Sequence, residues 1–233
     1  MQDRYVGDIG DFVKYGLLRA IRGGRSLGVA WYLHPNDGPV GDGRHTAYLR
    51  NSHEWRHLDP DLFEALRELV PDRRSVANIQ ESGILGDAVF AADRLAVNDI
   101  NIRDRECWRQ QWFDRTRSQI GQCDLVFADP DNGLFPDARF DPRRRESTKR
   151  IPLFEAMGLA DGRAAVIYHH NARHMGDHAN EIRCWKYHLP YGTMAYYWRR
   201  LSNRTFFIIN PDNYIRRRLH EFMDKWGDRG VLV

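Results

Sequence analysis

Three short segments concentrate the side chains able to do chemistry. The apolar run Leu125-Val126-Phe127-Ala128 stops at Asp129-Pro130-Asp131-Asn132-Gly133. An acid closing a buried strand, with proline behind it, sets a carboxylate and a main-chain carbonyl side by side at the rim of a sheet. Two acceptors in that arrangement suit an exocyclic amine. The same residues also make a plain Asp-Pro turn, with Asn-Gly supplying the positive φ angles. A second run, Ala164-Ala165-Val166-Ile167-Tyr168, ends in His169-His170-Asn171-Ala172-Arg173. Neighbours on a strand point to opposite faces, so these two histidines alone do not chelate one ion. Joined by Asp129 and Asp131, His169 and His170 could still assemble a hydrolytic metal set. The third segment follows Trp31-Tyr32-Leu33 and runs from His34 through Gly38, Gly41, Gly43 and Arg44 to His45. Its glycines let backbone approach a ligand closely, although no GxGxxG is present and a plain surface loop reads equally well.

The elements around these segments follow from periodicity. Apolar residues at Ile9, Phe12, Val13, Leu17, Ala20 and Ile21 predict an amphipathic helix over 8–22, stopped by Gly23-Gly24. Strands are expected at 29–33, 75–79, 125–128, 164–169, 194–199 and 205–209. Helices are expected at 63–70, 86–95, 106–120, 151–159, 178–187 and 214–226. Short apolar strands alternating with helices argue for a mostly parallel α/β sheet, and the last two strands, with no helix between them, for an antiparallel finish. The expected fold is a single α/β domain over residues 1–233, Rossmann-like and of the class I methyltransferase kind, although composition alone supports several other doubly wound folds about as well. In such sheets ligands bind beyond the carboxyl ends of the strands, where all three segments fall.

Composition narrows the setting. The 35 Lys+Arg against 32 Asp+Glu leave a net charge of +3, which rules out neither nucleic-acid nor small-molecule partners. The cationic cluster Arg143-Arg144-Arg145, followed by Lys149-Arg150, could hold phosphates, although such runs are more often solvated loops. Arg216-Arg217-Arg218 covers successive directions of a helix and is expected to face solvent. Cys107, Cys123 and Cys184 contain no CxxC pair and leave one unpaired in any disulfide scheme, which fits a reducing, cytoplasmic location. The opening residues carry acids where a signal peptide needs an apolar run, and no apolar stretch nears the roughly 20 residues of a membrane helix. No membrane partner is expected.

The N-terminal segment is more specific. Tyr5-Val6-Gly7-Asp8-Ile9-Gly10-Asp11-Phe12-Val13-Lys14-Tyr15 resembles the opening of the 23S ribosomal RNA adenine-N6 methyltransferase J family, a His-Ala-Gly-Asn-x-Ala-Asp-x-x-Lys-His stretch; Gly7, Asp11 and Lys14 are identical. Further landmarks follow in order. Trp31-Tyr32-Leu33 with Gly41-Asp42-Gly43-Arg44-His45 is similar to the family's Leu-Tyr-Leu-Asp strand and Gly-Ala-Gly-Arg-Tyr loop. Asp129-Pro130 matches the start of its Asp-Pro-Pro-Tyr motif, and Tyr168 with Arg173 its Trp-Tyr-Pro…Arg strand. Ile209-Asn210-Pro211 matches its Ile-Asn-Pro-Pro-Trp.

The resemblance implies S-adenosylmethionine as cofactor, held by Asp11, Lys14, His34, Gly41, Gly43, Arg44 and His45, with Glu81 on the ribose. It implies catalysis at Asp129, Pro130, Asp131 and Asn132, and substrate contacts from Phe135, Tyr168, His169 and Arg173, with no metal. The implied activity is methyl transfer to an amine of RNA, DNA or another substrate. The departures are as informative. Asp131 stands for the second proline, Asn132 for the aromatic that stacks on adenine, and His34 for the acid after the first strand. Two alternatives stay open: a metal-dependent nuclease or hydrolase using Asp129, Asp131, His169 and His170, and a non-catalytic nucleic-acid-binding or defence-system partner protein.

Overall fold

The computed structural model describes residues 1–36, 45–71, 74–171, 176–201 and 203–233. Helix α1, Ile9–Arg22, begins where the Asp8 side chain accepts the Asp11 N–H, and ends at Gly23 with φ +58°. Strand β1, Leu27–Ala30, is buried along its whole length. It ends three residues before the expected Leu33 because Tyr32 turns the chain with φ +34°, its hydroxyl donating to buried Glu155 at 2.8 Å. Leu33 rejoins the sheet by one parallel bridge to Arg94. The short helix α2, Ser52–Trp55, leads to α3, Pro60–Leu69, which has Asp59 as its cap and proline in its first turn.

Two expected elements exchange types. Residues 75–79, read as a strand, form helix α4, Val76–Glu81, because the Ser75 hydroxyl caps it by accepting the Asn78 N–H. The helix expected over 86–95 is instead strand β2, Val89–Ala91, paired in parallel with β1. Val76 and Ile79, three apart, both face inward, which is the helical spacing. The run 86–95 offers Ala88, Ala91, Ala92 and Leu95 at the same spacing, but the pairing of 89–91 with β1 makes it a strand.

The remaining expected elements form in order, with three short strands added over 133–135, 150–152 and 230–232, the second of which delays the helix expected from 151 to Leu153. Together they are α5 Arg105–Gln119, β3 Leu125–Ala128, β4 Gly133–Phe135, β5 Arg150–Pro152, α6 Leu153–Leu159, β6 Ala164–His170, α7 His178–His188, β7 Met194–Trp198, β8 Arg204–Ile209, α8 Asn213–Trp226 and β9 Gly230–Leu232. The main sheet has seven strands in the order β2-β1-β3-β6-β8-β7-β9. Its first four strands are parallel, whereas β8 runs antiparallel to both β6 and β7, and β9 antiparallel to β7. This α/β fold, with a mostly parallel sheet between helices, is compatible with a Rossmann-like architecture. Sheet order reverses direction between β1 and β3, so the crevice beyond those two strands is the topological switch point.

Strand alternation divides the core. Leu125 and Phe127 join a cluster with Phe12, Phe63, Leu219 and Trp226, while Val126 and Ala128 join one with Trp112, Leu159 and Ile182. The first layer is α1, α3 and α8; the second is α5, α6 and α7. Each fully buried large side chain contributes about 1.5–3 kcal/mol. Gly16 lets α1 lie against α8, since a Cβ there would stand 2.6 Å from the Trp226 ring. No helix of the described residues is long and apolar enough to cross a membrane. The three cysteines are free thiols.

One buried ion pair ties the second layer to the turn after β1. Arg109 of α5 donates to both Glu155 oxygens at 2.7 and 2.8 Å, beneath the Tyr32 hydroxyl. Neither partner reaches water, so removing one leaves the other charge uncompensated. Glu155→Leu or Arg109→Met alone should each lower unfolding free energy by about 3–5 kcal/mol in urea titrations, and the two together by less than either alone. Equal, additive losses would show that the pair is not energetically coupled.

Candidate functional site

The segment Gly7-Asp8-Ile9-Gly10-Asp11-Phe12-Val13-Lys14 builds one wall of the site, and its spacing has a direct physical account. Gly7 adopts φ +73°, a turn that points its N–H at Asp11 Oδ2, 2.9 Å away. Gly10 leaves room for the Arg204 guanidinium; an added Cβ would lie 1.1 Å from Nη1. Asp11 and Lys14 share a helical face at i,i+3, and Lys14 Nζ donates to Asp11 Oδ1 at 2.8 Å. The same ammonium donates to Asp129 Oδ2 at 2.7 Å, across 115 residues of sequence. Tyr168, Tyr15 and Phe127 rings lie 5.4, 5.7 and 6.0 Å from it.

Asp129 extends the parallel ladder beyond β3 by donating its N–H to Ala30 O at 3.0 Å. Its carboxylate is buried, so its direction is set by the strand and by Lys14. Oδ2 takes the ammonium, and Oδ1 has no hydrogen-bond donor among the described residues. Asp131 lies close by, 2.7 Å from the Met1 nitrogen and hydrogen-bonded by the Gln2 amide.

These groups line a cavity of about 320 Å³ beyond the ends of β1 and β3. Of the expected site residues, Asp11, Lys14, His45, Asp129, Pro130, Asp131, Asn132 and Tyr168 meet there, together with His170. Six further residues line it, Met1, Gln2, Tyr5, Asp8, Lys149 and Arg204, of which Met1, Gln2 and Arg204 went unread in the sequence. Arg204 is the most consequential. It is buried at the start of β8 and 3.8 Å from Asp8 Oδ1. Gly10, without a side chain in a helix's first turn, was the available signal.

Other expected residues stand elsewhere. Gly41, Gly43, Arg44 and Arg173 lie outside the described residues. His34 packs behind the cavity, its Nδ1 3.0 Å from Thr148 Oγ1. Glu81 does not follow a strand: it is exposed at the end of α4, away from the cavity. The acid that does follow the second strand is Asp93. Its signal was legible, since Val89-Phe90-Ala91-Ala92-Asp93 repeats the pattern of Leu125-Val126-Phe127-Ala128-Asp129.

His169 and Phe135 face a neighbouring cavity of about 560 Å³, which shares Asn132 and His170 with the first. His169 is buried, and both ring nitrogens are engaged. Nδ1 accepts the Leu134 N–H at 3.1 Å, which leaves Nε2–H to donate to Glu181 Oε1 at 3.0 Å. The set Asp129, Asp131, His169 and His170 is therefore split between two cavities. No group of three or more His, Cys, Asp or Glu among the described residues could hold a metal ion. A wider, open cleft of about 1010 Å³ lies at the other end of the sheet, around Asp124, Arg163 and Asn210. There the Arg163 guanidinium donates to the carbonyls of Leu159, Ile120, Gly121 and Cys123, so its cation already closes loop ends.

Burial and charge oppose each other at the site. Burial raises the Asp129 carboxyl, and Lys14 counteracts it; Asp11 behaves in the same way. Burial would lower Lys14, but the two carboxylates outweigh it and hold the amine above the ordinary lysine range. Burial pushes the Tyr168 hydroxyl up to about 12, so it remains a neutral donor. Burial also keeps His169 neutral by lowering it. Glu181 falls to about 2 because hydrogen bonds from His169 and Asn171 outweigh its burial.

No family model matches the chain, and no curated protein matches it.

Replacing Lys14 tests this balance. In Lys14→Met, burial is left to raise Asp11 and Asp129 unopposed by the ammonium. A carboxyl raised in the folded state favours folding while it is protonated and loses that advantage as pH climbs through its folded value. The deficit of Lys14→Met should therefore be smallest near pH 4 and reach about 3–5 kcal/mol by pH 8 in urea titrations. A deficit independent of pH would show that Lys14 acts there by packing alone.

Proposed function

We propose that the chain is an S-adenosylmethionine-dependent methyltransferase of class I architecture that methylates an amine of a nucleic acid or another substrate. One observation carries this reading. The residues identical in the resemblance, Asp11 and Lys14 from the N-terminal segment and Asp129-Pro130 after β3, converge on one cavity at the switch point, joined through the Lys14 ammonium. The insertion of β8 between β6 and β7, antiparallel to both, supports the class.

The donor set suits the cofactor. Carboxylates at Asp8, Asp11, Asp129 and Asp131 line the cavity together with the cations of Lys14, Lys149, Arg204 and the Met1 nitrogen, a mixed polar set able to meet a zwitterionic ligand, while Tyr5 and Tyr168 add aromatic surface. Asp93, after β2, stands where an acid meets ribose hydroxyls in doubly wound sheets. When bound, the cofactor supplies an electrophilic methyl group. Asp129 Oδ1 and the Pro130 carbonyl accept the N–H bonds of the target amine and aim its lone pair; positioning of this kind, more than a strong base, is what direct transfer requires. Lys14 fixes the Asp129 carboxylate from behind. Asn132 in place of the stacking aromatic leaves Tyr168 as the flat wall of this cavity, because Phe135 faces the other one. A cytoplasmic location accords with three unpaired thiols.

Titration with S-adenosylhomocysteine should give micromolar binding and a raised melting temperature. Asp129→Ala, with the near-isosteric Asp129→Asn as a check on folding, should lose methyl transfer to total RNA or DNA by orders of magnitude. Cofactor binding should stay within roughly tenfold, about 1.4 kcal/mol. Asp131→Ala should lose less. No binding to the wild-type chain at millimolar ligand would overturn the reading and favour a non-catalytic role.

A further inference from the structure

The second cavity carries cations that the reading above leaves unused. Strands β4 and β5 pair in parallel, Gly133 with Arg150 and Phe135 with Pro152. This small ribbon is anchored on the end of β6: Gly133, at φ +84°, lies so close that an added Cβ would fall 2.5 Å from His169 Cα. The Leu134 N–H bonds the His169 ring. Lys149 and Arg150 are consecutive, and they serve opposite sides, Lys149 lining the first cavity and Arg150 the second.

On the second side the Arg150 guanidinium lies 4.5 Å from the Phe135 ring centroid, and that of Arg139 lies 5.9 Å from the same ring. Neither guanidinium has a carboxylate or hydrogen-bond partner among the described residues. This sets them apart from Arg109, Arg19 and Arg204, each of which meets an acid. The acid on this cavity's wall, Glu181, is taken up by His169 and Asn171. Burial and the nearby charge of Arg139 lower Arg150, and the Glu146 carboxylate only partly offsets them.

We propose that Arg139 and Arg150 form a phosphoryl-binding site, seating the anionic end of a substrate whose amine reaches Asp129 in the adjoining cavity. The site stands on the two guanidiniums; its place in a reaction rests on the methyltransferase reading. A phosphomonoester carries about −1.5 to −2 charge near pH 7 and offers three acceptor oxygens, which matches two forked guanidiniums. A carboxylate would leave one of them uncompensated. Asn132 and His170, common to both cavities, would lie beneath the part of the ligand that crosses between them.

The test is calorimetry on the full chain with inorganic phosphate as the probe. Wild type should bind it saturably. Arg150→Gln and Arg139→Gln should each weaken binding at least tenfold, and Arg56→Gln, on the opposite layer, should leave it unchanged. Arg139 is exposed, so its variant should keep the wild-type melting temperature even if Arg150→Gln does not. Glycerol phosphate and a dinucleotide distinguish the sources: tighter monoester binding points to a small phosphorylated substrate, and tighter dinucleotide binding to a polymer backbone. S-adenosylhomocysteine, titrated into the same variants, should bind as in wild type. Loss of that binding in wild type would sink the methyltransferase reading while the phosphate data judged the site separately. Phosphate affinity equal in wild type and both variants, or no saturable binding in the millimolar range, would overturn the proposal.

Discussion

A single ammonium joins the two ends of the candidate site. Lys14 reaches Asp11 on its own helix and Asp129 at the close of β3, and almost every other feature of the N-terminal wall makes that reach possible. Gly7 turns so that its N–H steadies Asp11, Asp8 caps α1, and Gly10 makes way for Arg204. Burying one cation between two anions brings a desolvation cost of several kcal/mol per ion, which mutual attraction offsets only when geometry is good. Such a cluster is a poor way to gain stability, since well-packed apolar residues would do as well or better. What it secures is direction: the Asp129 carboxylate is held where the strand and the lysine together put it.

The same economy of position recurs one strand away. The end of β6 carries three consecutive residues with three different environments. Tyr168 enters the first cavity, His169 is buried and spent on Leu134 and Glu181, and His170 opens to both cavities. His169 thus serves as a post. It carries the β4–β5 ribbon, and the ribbon in turn sets Asn132 between the cavities and Arg150 on the far side. A histidine pair that reads as metal chemistry in sequence is, in space, a support and a shared wall.

Much of this was legible in the sequence where local pattern and tertiary context agree. The amphipathic stripe of α1, the buried run of β3 and the adjacent strands at 194–209 all form as periodicity implies. The errors have a common cause in short elements. Residues 75–79 and 86–95 are too brief for periodicity alone to separate strand from helix, and the cap at Ser75 and the pairing of Val89–Ala91 with β1 decide them. Misplacing the second strand then misplaced its acid, so Glu81 was read in the position Asp93 holds. Arg204 was illegible for a different reason. Its partner Asp8 is 196 residues away by sequence number, and no local pattern encodes a contact of that range.

Tyr32 shows how far the site's supports extend. A tyrosine at φ +34° is strained, at a cost on the order of 1–3 kcal/mol, and such residues persist only where their surroundings over-determine them. Here the surroundings are the Glu155–Arg109 pair in the opposite layer and the edge-on Trp112 ring, 4.9 Å away. The turn at Tyr32 ends β1 early and sends the chain outward at the switch point, beside Asp129. Its carbonyl, directed by the same turn, accepts the Met1 nitrogen, which also bonds the Asp129 carbonyl. The departure of the chain from β1 and the placement of the acid after β3 are thus linked through one strained residue. The layer containing α5 and α6 consequently shapes a cavity that none of its helices lines.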